Sequence, residues 1–285
     1  MERMSTRIER QESAFGSWTR ALRAPNPRIR PLLARDFLGF IDTAPPSRSW
    51  LLPPTGTASL ILNLGTSFGG LPDAFVAGLD TTFAVVERST PIACIDLKLT
   101  PLGAYTLLAQ PMDAIAGRAV NLRDLVGASG GQLVEALNEA PDWDERFALL
   151  DRFLLHRAEH GPRPSAAVAW AWQRLTDSGG QIPIGELAME IGWSQRHLIA
   201  RFRQQVGLPP KTMARIVRFA GVLRHLEAAE AVRWAELAGE HGYADQAHLN
   251  RDFREFAGTT PTAFLARRGG SDGVGREVNS FQDRR

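Results

Sequence analysis

Apolar positions between residues 184 and 264 follow a helical spacing, and the same pattern occurs there twice. Each copy predicts a short helix, a turn at a glycine and a second helix. The turn glycines are Gly192 and Gly242, since glycine adopts the left-handed conformation that ends a helix at little cost. Equivalent apolar positions are Leu187 and Leu237, Leu198 and Leu249, and Phe202 and Phe253. The pattern therefore predicts two helix-turn-helix units in tandem.

A different pattern occupies residues 35–101, where short apolar runs alternate with turns rich in proline and glycine. The runs are 49–52, 59–64, 75–79, 82–87 and 92–100. Alternation is strict over 95–99, as in a strand with one buried face, and the spacing indicates a small antiparallel barrel or sandwich. Residues 103–109 and 130–158 have helical spacing and predict helices that follow the strands. The polar, proline-interrupted residues 1–30 predict a lead-in without regular structure.

Proline and glycine also mark a domain boundary. The segment His160-Gly161-Pro162-Arg163-Pro164 cannot continue a helix, so it predicts a linker. The predicted fold class is α+β with two domains, a β-barrel with trailing helices over 31–160 and an all-α domain over 161–268. The glycine-rich, polar residues 269–285 predict a disordered tail.

The second helix of each unit begins at a residue that can cap it. Ser194 and Asp245 carry side-chain oxygens that accept a backbone N–H in the first turn. Between the units, Pro209-Pro210 opens another helix that extends to about Leu226, which gives a length of roughly 25 Å. A spacer of that length can place two recognition helices in successive major-groove segments, roughly 34 Å apart on one duplex. The predicted recognition helices are 195–206 and 245–257.

Outward-facing side chains on these helices are candidate DNA contacts. They are Gln195, Arg196, Ile199, Ala200 and Arg203 in the first unit, and Gln246, Ala247, Asn250 and Arg251 in the second. Arginine can donate two hydrogen bonds to guanine, glutamine and asparagine pair with adenine, and an alanine methyl packs on thymine. Candidate phosphate contacts are Ser194, Gln195, Lys211, Arg215, His248 and Arg254. The alternative to a DNA contact is, for the charged residues, a solvated position on the protein surface. For Arg251 the alternative is an ion pair with Asp245 or Glu255.

The distribution of charge is consistent with a DNA-binding C-terminal half. Residues 161–268 carry 14 Arg and Lys against 10 Asp and Glu, a net charge of +4. Residues 1–160 carry 16 against 18, a net charge of −2. A basic excess in one domain is the electrostatic pattern of nucleic-acid binding, although an excess of this size is weak evidence by itself.

The sequence GYADQAHLNRDFREFAGTTP, at Gly242–Pro261, resembles the signature of the AraC/XylS transcription regulators. The resemblance covers about 165–268 and implies seven helices with two helix-turn-helix subdomains joined by a long helix. Carried over residue by residue, it implies base contacts by Arg196, Ile199 and Ala200 in the first unit, and by Gln246, Ala247, Asn250 and Arg251 in the second. Ile199 and Ala200 replace residues that are often polar in the family, which predicts fewer hydrogen bonds from the first helix.

The first 160 residues resemble the N-terminal domain of a bacterial subgroup of this family. The motifs are at 62–65, 75–79, 97–104 and 121–125. The resemblance implies a cupin-like β-barrel that senses a small-molecule effector, mediates homodimerisation, or both. The partners expected are double-stranded DNA, with RNA polymerase, an effector and a second copy of the chain as further candidates. The absence of a long apolar run predicts a cytoplasmic protein without a membrane partner.

Two other functional classes compete with a DNA-binding regulator. An enzyme or metalloprotein with its site in the barrel is not predicted, because all six histidines occur at or after His156 and no catalytic motif is present. The barrel is instead expected to hold an apolar pocket or a dimer interface, with no metal and no cofactor. Cys94 is expected to be a buried, inert thiol. The remaining alternative is an effector- or protein-binding module that has lost specific DNA binding.

Overall fold

The computed structural model describes residues 5–13, 16–43, 50–65, 70–86, 91–228 and 232–269. Contacts between residues divide the chain into two compact units. The first contains 1–49, 57–78 and 87–163, and the second contains 50–56, 79–86 and 164–285. The predicted tail, from residue 270 onward, lies outside the described residues.

The first unit contains seven strands and four helices among its described residues. The strands are β1 (Arg7–Ser13), β2 (Gly16–Arg23), β3 (Phe37–Asp42), β5 (Ala58–Asn63), β6 (Ala74–Ala77), β8 (Ile92–Leu99) and β9 (Ala119–Asn121). Two further strands, β4 (Trp50–Leu52) and β7 (Ala84–Val86), belong to the second unit. The helices are α1 (Pro101–Leu108), α2 (Leu122–Val126), α3 (Ala128–Glu139) and α4 (Trp143–His160).

The seven strands of the first unit form one antiparallel sheet in the order β1-β2-β3-β8-β5-β6-β9. β8 lies at its centre, where Ile95, Leu97 and Leu99 are almost fully buried. The intervening Asp96 and Lys98 point to the opposite face, as strand geometry requires. This confirms the alternation predicted for 95–99 and the antiparallel β character of the N-terminal region.

The prediction of an irregular lead-in over residues 1–30 was wrong, because β1 and β2 pair with each other and β2 pairs with β3. Charged residues hid the alternation of this hairpin. Ala21 is fully buried, and the equally inward-facing Arg23 is satisfied by Asp151 on α4 at 2.6 Å. Arginine is usually exposed, so the sequence alone predicts a surface position for an arginine that is buried with a carboxylate partner.

Aromatic packing joins the sheet to α4 in the first unit. Phe37 and Phe147 are fully buried with ring centroids 5.7 Å apart. Trp143 lies over Gly39, where any Cβ would be 2.2 Å from the indole ring. Glycine at 39 therefore allows the helix to approach the sheet closely.

The second unit contains a two-stranded ribbon and seven helices among its described residues. The ribbon consists of β4 (Trp50–Leu52) and β7 (Ala84–Val86), which pair antiparallel. The helices are α5 (Ala166–Asp177), α6 (Ile184–Glu190), α7 (Gln195–Val206), α8 (Pro210–Ala228), α9 (Trp234–Glu240), α10 (Gln246–Ala257) and α11 (Pro261–Gly269). The helical C-terminal region and the predicted spacer helix are confirmed. In the part of the chain described, no helix is both long and apolar enough to cross a membrane.

Candidate nucleic-acid interface

Each helix-turn-helix unit turns at a glycine in the left-handed conformation. Gly192 (φ 68°) follows α6 and Gly242 (φ 71°) follows α9, as the sequence predicts. The backbone N–H of the next residue returns to the preceding helix in both units, from Trp193 to Ala188 O and from Tyr243 to Ala238 O, each at 2.9 Å. The two turns are therefore the same structure built twice.

The two second helices start with the predicted caps. Ser194 Oγ accepts the backbone N–H of His197 at 3.2 Å, and Asp245 Oδ1 accepts that of His248 at 2.7 Å. Such bonds satisfy amides that have no partner within the helix. They define α7 and α10 as helices of 12 residues each, in agreement with the predicted 195–206 and within one residue of the predicted 245–257.

The inward faces of α7 and α10 are equivalent. Leu198 and Phe202 are fully buried in the first helix-turn-helix unit, and Leu249 and Phe253 are fully buried in the second helix-turn-helix unit. Side chains at i and i+4 lie on the same face of a helix, so these pairs determine which residues face away from the core.

The outward face of α7 exposes the residues predicted to contact DNA. Gln195, Arg196 and Ala200 are exposed, and Ile199 leaves 40% of its surface accessible. An exposed isoleucine on this face suits contact with thymine methyl groups. Within the described residues, Arg196 makes no hydrogen bond or ion pair, so its guanidinium is available.

The outward face of α10 is more polar. Gln246, Ala247, Arg251 and Arg254 are exposed, and Asn250 is half-buried with its Oδ1 lacking a hydrogen-bond partner. The alternative in which Arg251 pairs with Asp245 or Glu255 does not occur, because Asp245 caps the helix and Glu255 pairs with Arg215. Arg251 and Arg254 are therefore without ion-pair partners among the residues described.

Arg215 differs from the other candidate phosphate contacts. Its guanidinium lies on α8 and bonds Asp252 Oδ1 at 2.7 Å and both carboxylate oxygens of Glu255, at 3.0 and 2.6 Å. It also stacks over the Phe256 ring. The hydrogen bonds that Arg215 donates to Glu255 and Asp252 raise its pKa despite its partial burial. We call Arg215, Asp252 and Glu255 the clamp, since they join α8 to α10.

The clamp was missed in the sequence because Asp252 looks like one more exposed residue of a charged helix. It is 1% exposed and neighbours the core residue Phe253. A buried carboxylate requires a partner, and Arg215 supplies it. The phosphate contact predicted for Arg215 stays a prediction, and the clamp competes with it. Lys211, by contrast, is exposed at the start of α8.

An aromatic residue follows each turn glycine and contacts a histidine of the next helix. Trp193 and His197 have ring centroids 4.4 Å apart, and Tyr243 and His248 have theirs 5.1 Å apart, both edge to face. Tyr243 is 4% exposed, and burial raises the pKa of its hydroxyl. The aromatic residues thus pack within the protein, and they orient His197 and His248 at the start of each recognition helix.

The predicted state of Cys94 is confirmed in the first unit. The thiol is buried, and burial, with a smaller contribution from Asp96, raises its pKa to about 12. A thiol of that pKa is not nucleophilic at neutral pH.

Comparison with known proteins identifies relatives of the C-terminal region. Residues 187–267 match the helix-turn-helix domain family. An uncharacterised HTH-type transcriptional regulator, YbfI of Bacillus subtilis (strain 168), is 28% identical over 89 residues, which are 31% of this chain and 32% of that protein. The match thus spans about a third of the relative's length. These matches confirm the helix-turn-helix domain predicted for the C-terminal region.

Two solved structures are also similar. The DNA-binding domain of AdpA, in complex with a target DNA, is 26% identical with a TM-score of 0.34, over 38% of this chain and 100% of that chain. ToxT from Vibrio cholerae O395 is 12% identical with a TM-score of 0.42, over 94% of this chain and 99% of that chain.

Proposed function

We propose that this chain, whose residues 187–267 form an AraC-type helix-turn-helix domain, is a sequence-specific DNA-binding transcription regulator. The recognition helices α7 and α10 read two successive major-groove segments of one duplex. Base contacts come from Arg196, Ile199 and Ala200 on α7, and from Gln246, Ala247, Asn250 and Arg251 on α10. Phosphate contacts come from Ser194, Gln195, Lys211, His248 and Arg254.

One observation carries this proposal. Two helices of equal length have the same cap, turn and core, and each presents an exposed arginine without a partner among the described residues. The joining helix α8 has 19 residues, which corresponds to about 28 Å at 1.5 Å per residue. That length is close to the repeat of roughly 34 Å between major-groove segments on one side of a duplex.

The test is binding to DNA selected from random sequence, followed by mapping of bound sites in the source genome. We expect a site with two conserved segments about one helical turn apart. Variants R251A and R196A serve as probes of the two segments, and each is expected to relax base preference in one segment only. If selection enriches no sequence, the alternative of a module that has lost specific DNA binding is correct.

We further propose that the N-terminal part of the chain modulates α10 through segments 50–56 and 79–86, which belong to the second unit. Thr82 Oγ1 donates to Glu255 O at 3.0 Å, and Phe83 packs against Gly258, at the end of α10. Gly56 packs near α8, where a Cβ added to this glycine would lie 3.2 Å from Met213 Cε. These segments are continuous in the chain with strands of the seven-stranded sheet. A rearrangement of those strands would therefore move the segments and alter their contacts with α10.

An effector for such modulation has a candidate cleft in the first unit. The cleft has a volume of about 450 Å³ and is lined by apolar Leu71 and Val134 together with Asp73, Arg123 and Glu135. This volume suits a small polar molecule. A second copy of the chain and RNA polymerase are further partners in this proposal. The variant F83A, measured for DNA affinity with and without effector candidates, tests the coupling, and unchanged affinity in both conditions argues against it.

A further inference from the structure

Two imidazoles and one carboxylate meet beside the turn of the second helix-turn-helix unit. His225 lies on α8, while Glu240 and His241 lie at the end of α9. Their ligand atoms are all within 4.8 Å of one another. His225 Nδ1 is 3.6 Å from Glu240 Oε2, and the rings of His225 and His241 are 5.8 Å apart. None of the proposed DNA contacts uses these residues.

The His241 ring packs closely against α8. Gly221 on α8 faces the His241 ring, and a Cβ there would lie 2.9 Å from His241 Nδ1.

We propose that His225, Glu240 and His241 bind one zinc ion. Imidazole and carboxylate ligands suit Zn²⁺, and a set of two histidines and one glutamate leaves the fourth position to water. Zinc bonds of about 2.1 Å place tetrahedral ligand atoms about 3.4 Å apart. Side-chain rotation at exposed His225 and Glu240 is sufficient to reach that separation from the observed one.

A bound ion joins the end of α8 to the end of α9. The clamp joins α8 to α10, and the metal adds a connection between α8 and the end of α9. A ligand that binds only the folded state stabilises it. Zinc therefore raises the unfolding temperature and slows amide hydrogen exchange in α9.

The test is calorimetric titration of the full, tag-free chain with Zn²⁺ alone, and with Mg²⁺ as the comparison. His156 and His160 form another close imidazole pair, 4.3 Å apart, so every protein carries H156Q and H160Q. We expect one zinc per chain, no heat from Mg²⁺, and affinity at least about tenfold weaker in H225Q and in E240Q. Both residues are exposed, so the substitutions leave the fold intact.

The matched control is H197Q, which removes an exposed histidine outside the cluster and leaves zinc affinity unchanged. Amide hydrogen exchange measured on the same samples locates the ion. We expect zinc to slow exchange in α9, and to have no such effect in the H225Q variant. The proposal is overturned if zinc gives no saturable signal, or if H225Q and E240Q bind zinc as tightly as the H156Q/H160Q protein.

Discussion

In the first helix-turn-helix unit, α7 carries the exposed Arg196 in its first turn, whereas α10 carries the exposed Arg251 one turn later. Each arginine has an alanine at the equivalent position of the other helix, because Arg196 aligns with Ala247 and Arg251 aligns with Ala200. Both arginines are exposed. Because a recognition helix enters the groove by its N-terminal end, the proposed function places a guanine-binding group at a different depth in each unit. Under that proposal, one scaffold used twice reads two different segments.

The units also differ in how they are anchored. In the first, buried Gln205 accepts the backbone N–H of Ser165 at 2.9 Å, a neutral hydrogen bond. In the second, the clamp holds α10 to α8 through charged groups. Charge-assisted bonds are roughly twice as strong as neutral ones, but a missing partner then leaves a buried charge. The second unit is thus more vulnerable to a single substitution.

The largest expected effect is loss of stability in R215A. Removing the guanidinium leaves Asp252 buried without its partner, which costs about 2–3 kcal/mol in the free energy of unfolding. Urea denaturation measures this loss. The control is R254A, which removes an exposed arginine of α10 and is expected to change stability by no more than about 0.5 kcal/mol. If R215A instead retains stability and lowers the salt slope of DNA binding by about 1, the phosphate contact is its role.

Next in size is the effect of R251A on DNA binding. We expect a loss of roughly 1–3 kcal/mol in specific binding and relaxed preference at one base pair, with folding stability unchanged. Competition between single-base variants of the selected site measures the preference. R254A is the comparison, because loss of a phosphate contact weakens all sequences alike. Unchanged base preference in R251A rules out sequence reading through this residue.

A smaller effect is expected for R196A. Its neighbours Ile199 and Ala200 give only methyl contacts, so the first unit contributes less discrimination, and the loss is about 1 kcal/mol. The double variant R196A/A200R moves the arginine to the position it has in the second unit. We expect the preferred guanine to shift within the first segment of the site. If the double variant has the same base preference as R196A, the proposed difference in depth between Arg196 and Arg251 is wrong.

The smallest effects are expected at the helix caps. S194A and D245A each remove one bond to an amide of the first turn, at about 1 kcal/mol of unfolding free energy. D245A is the more damaging because a negative charge at a helix N-terminus adds a favourable interaction with its dipole. Thermal unfolding measures both, and S194T and D245N, which keep a capping oxygen, serve as controls. Equal stability of D245A and the unaltered chain excludes a capping role.

The sequence by itself determined the elements whose signal is local. Gly192 and Gly242, the capping oxygens of Ser194 and Asp245, and apolar residues at i and i+4 define each helix-turn-helix within about 25 residues. The turn, the cap and the buried stripe all indicate the same structure. The bounds of α7 and α10 were predicted nearly to the residue for this reason.

Only the tertiary structure decided what depends on partners distant in the chain. Arg23 is inward-facing because Asp151 lies opposite it, and Arg215 belongs to the clamp because Asp252 and Glu255 lie 37 and 40 residues away in sequence. A charged side chain has the same local pattern whether it is solvated or paired. Burial of a charge depends on its counterion, and packing, not local sequence, brings the two together. The hairpin of β1 and β2 and the clamp were therefore visible only in the folded chain.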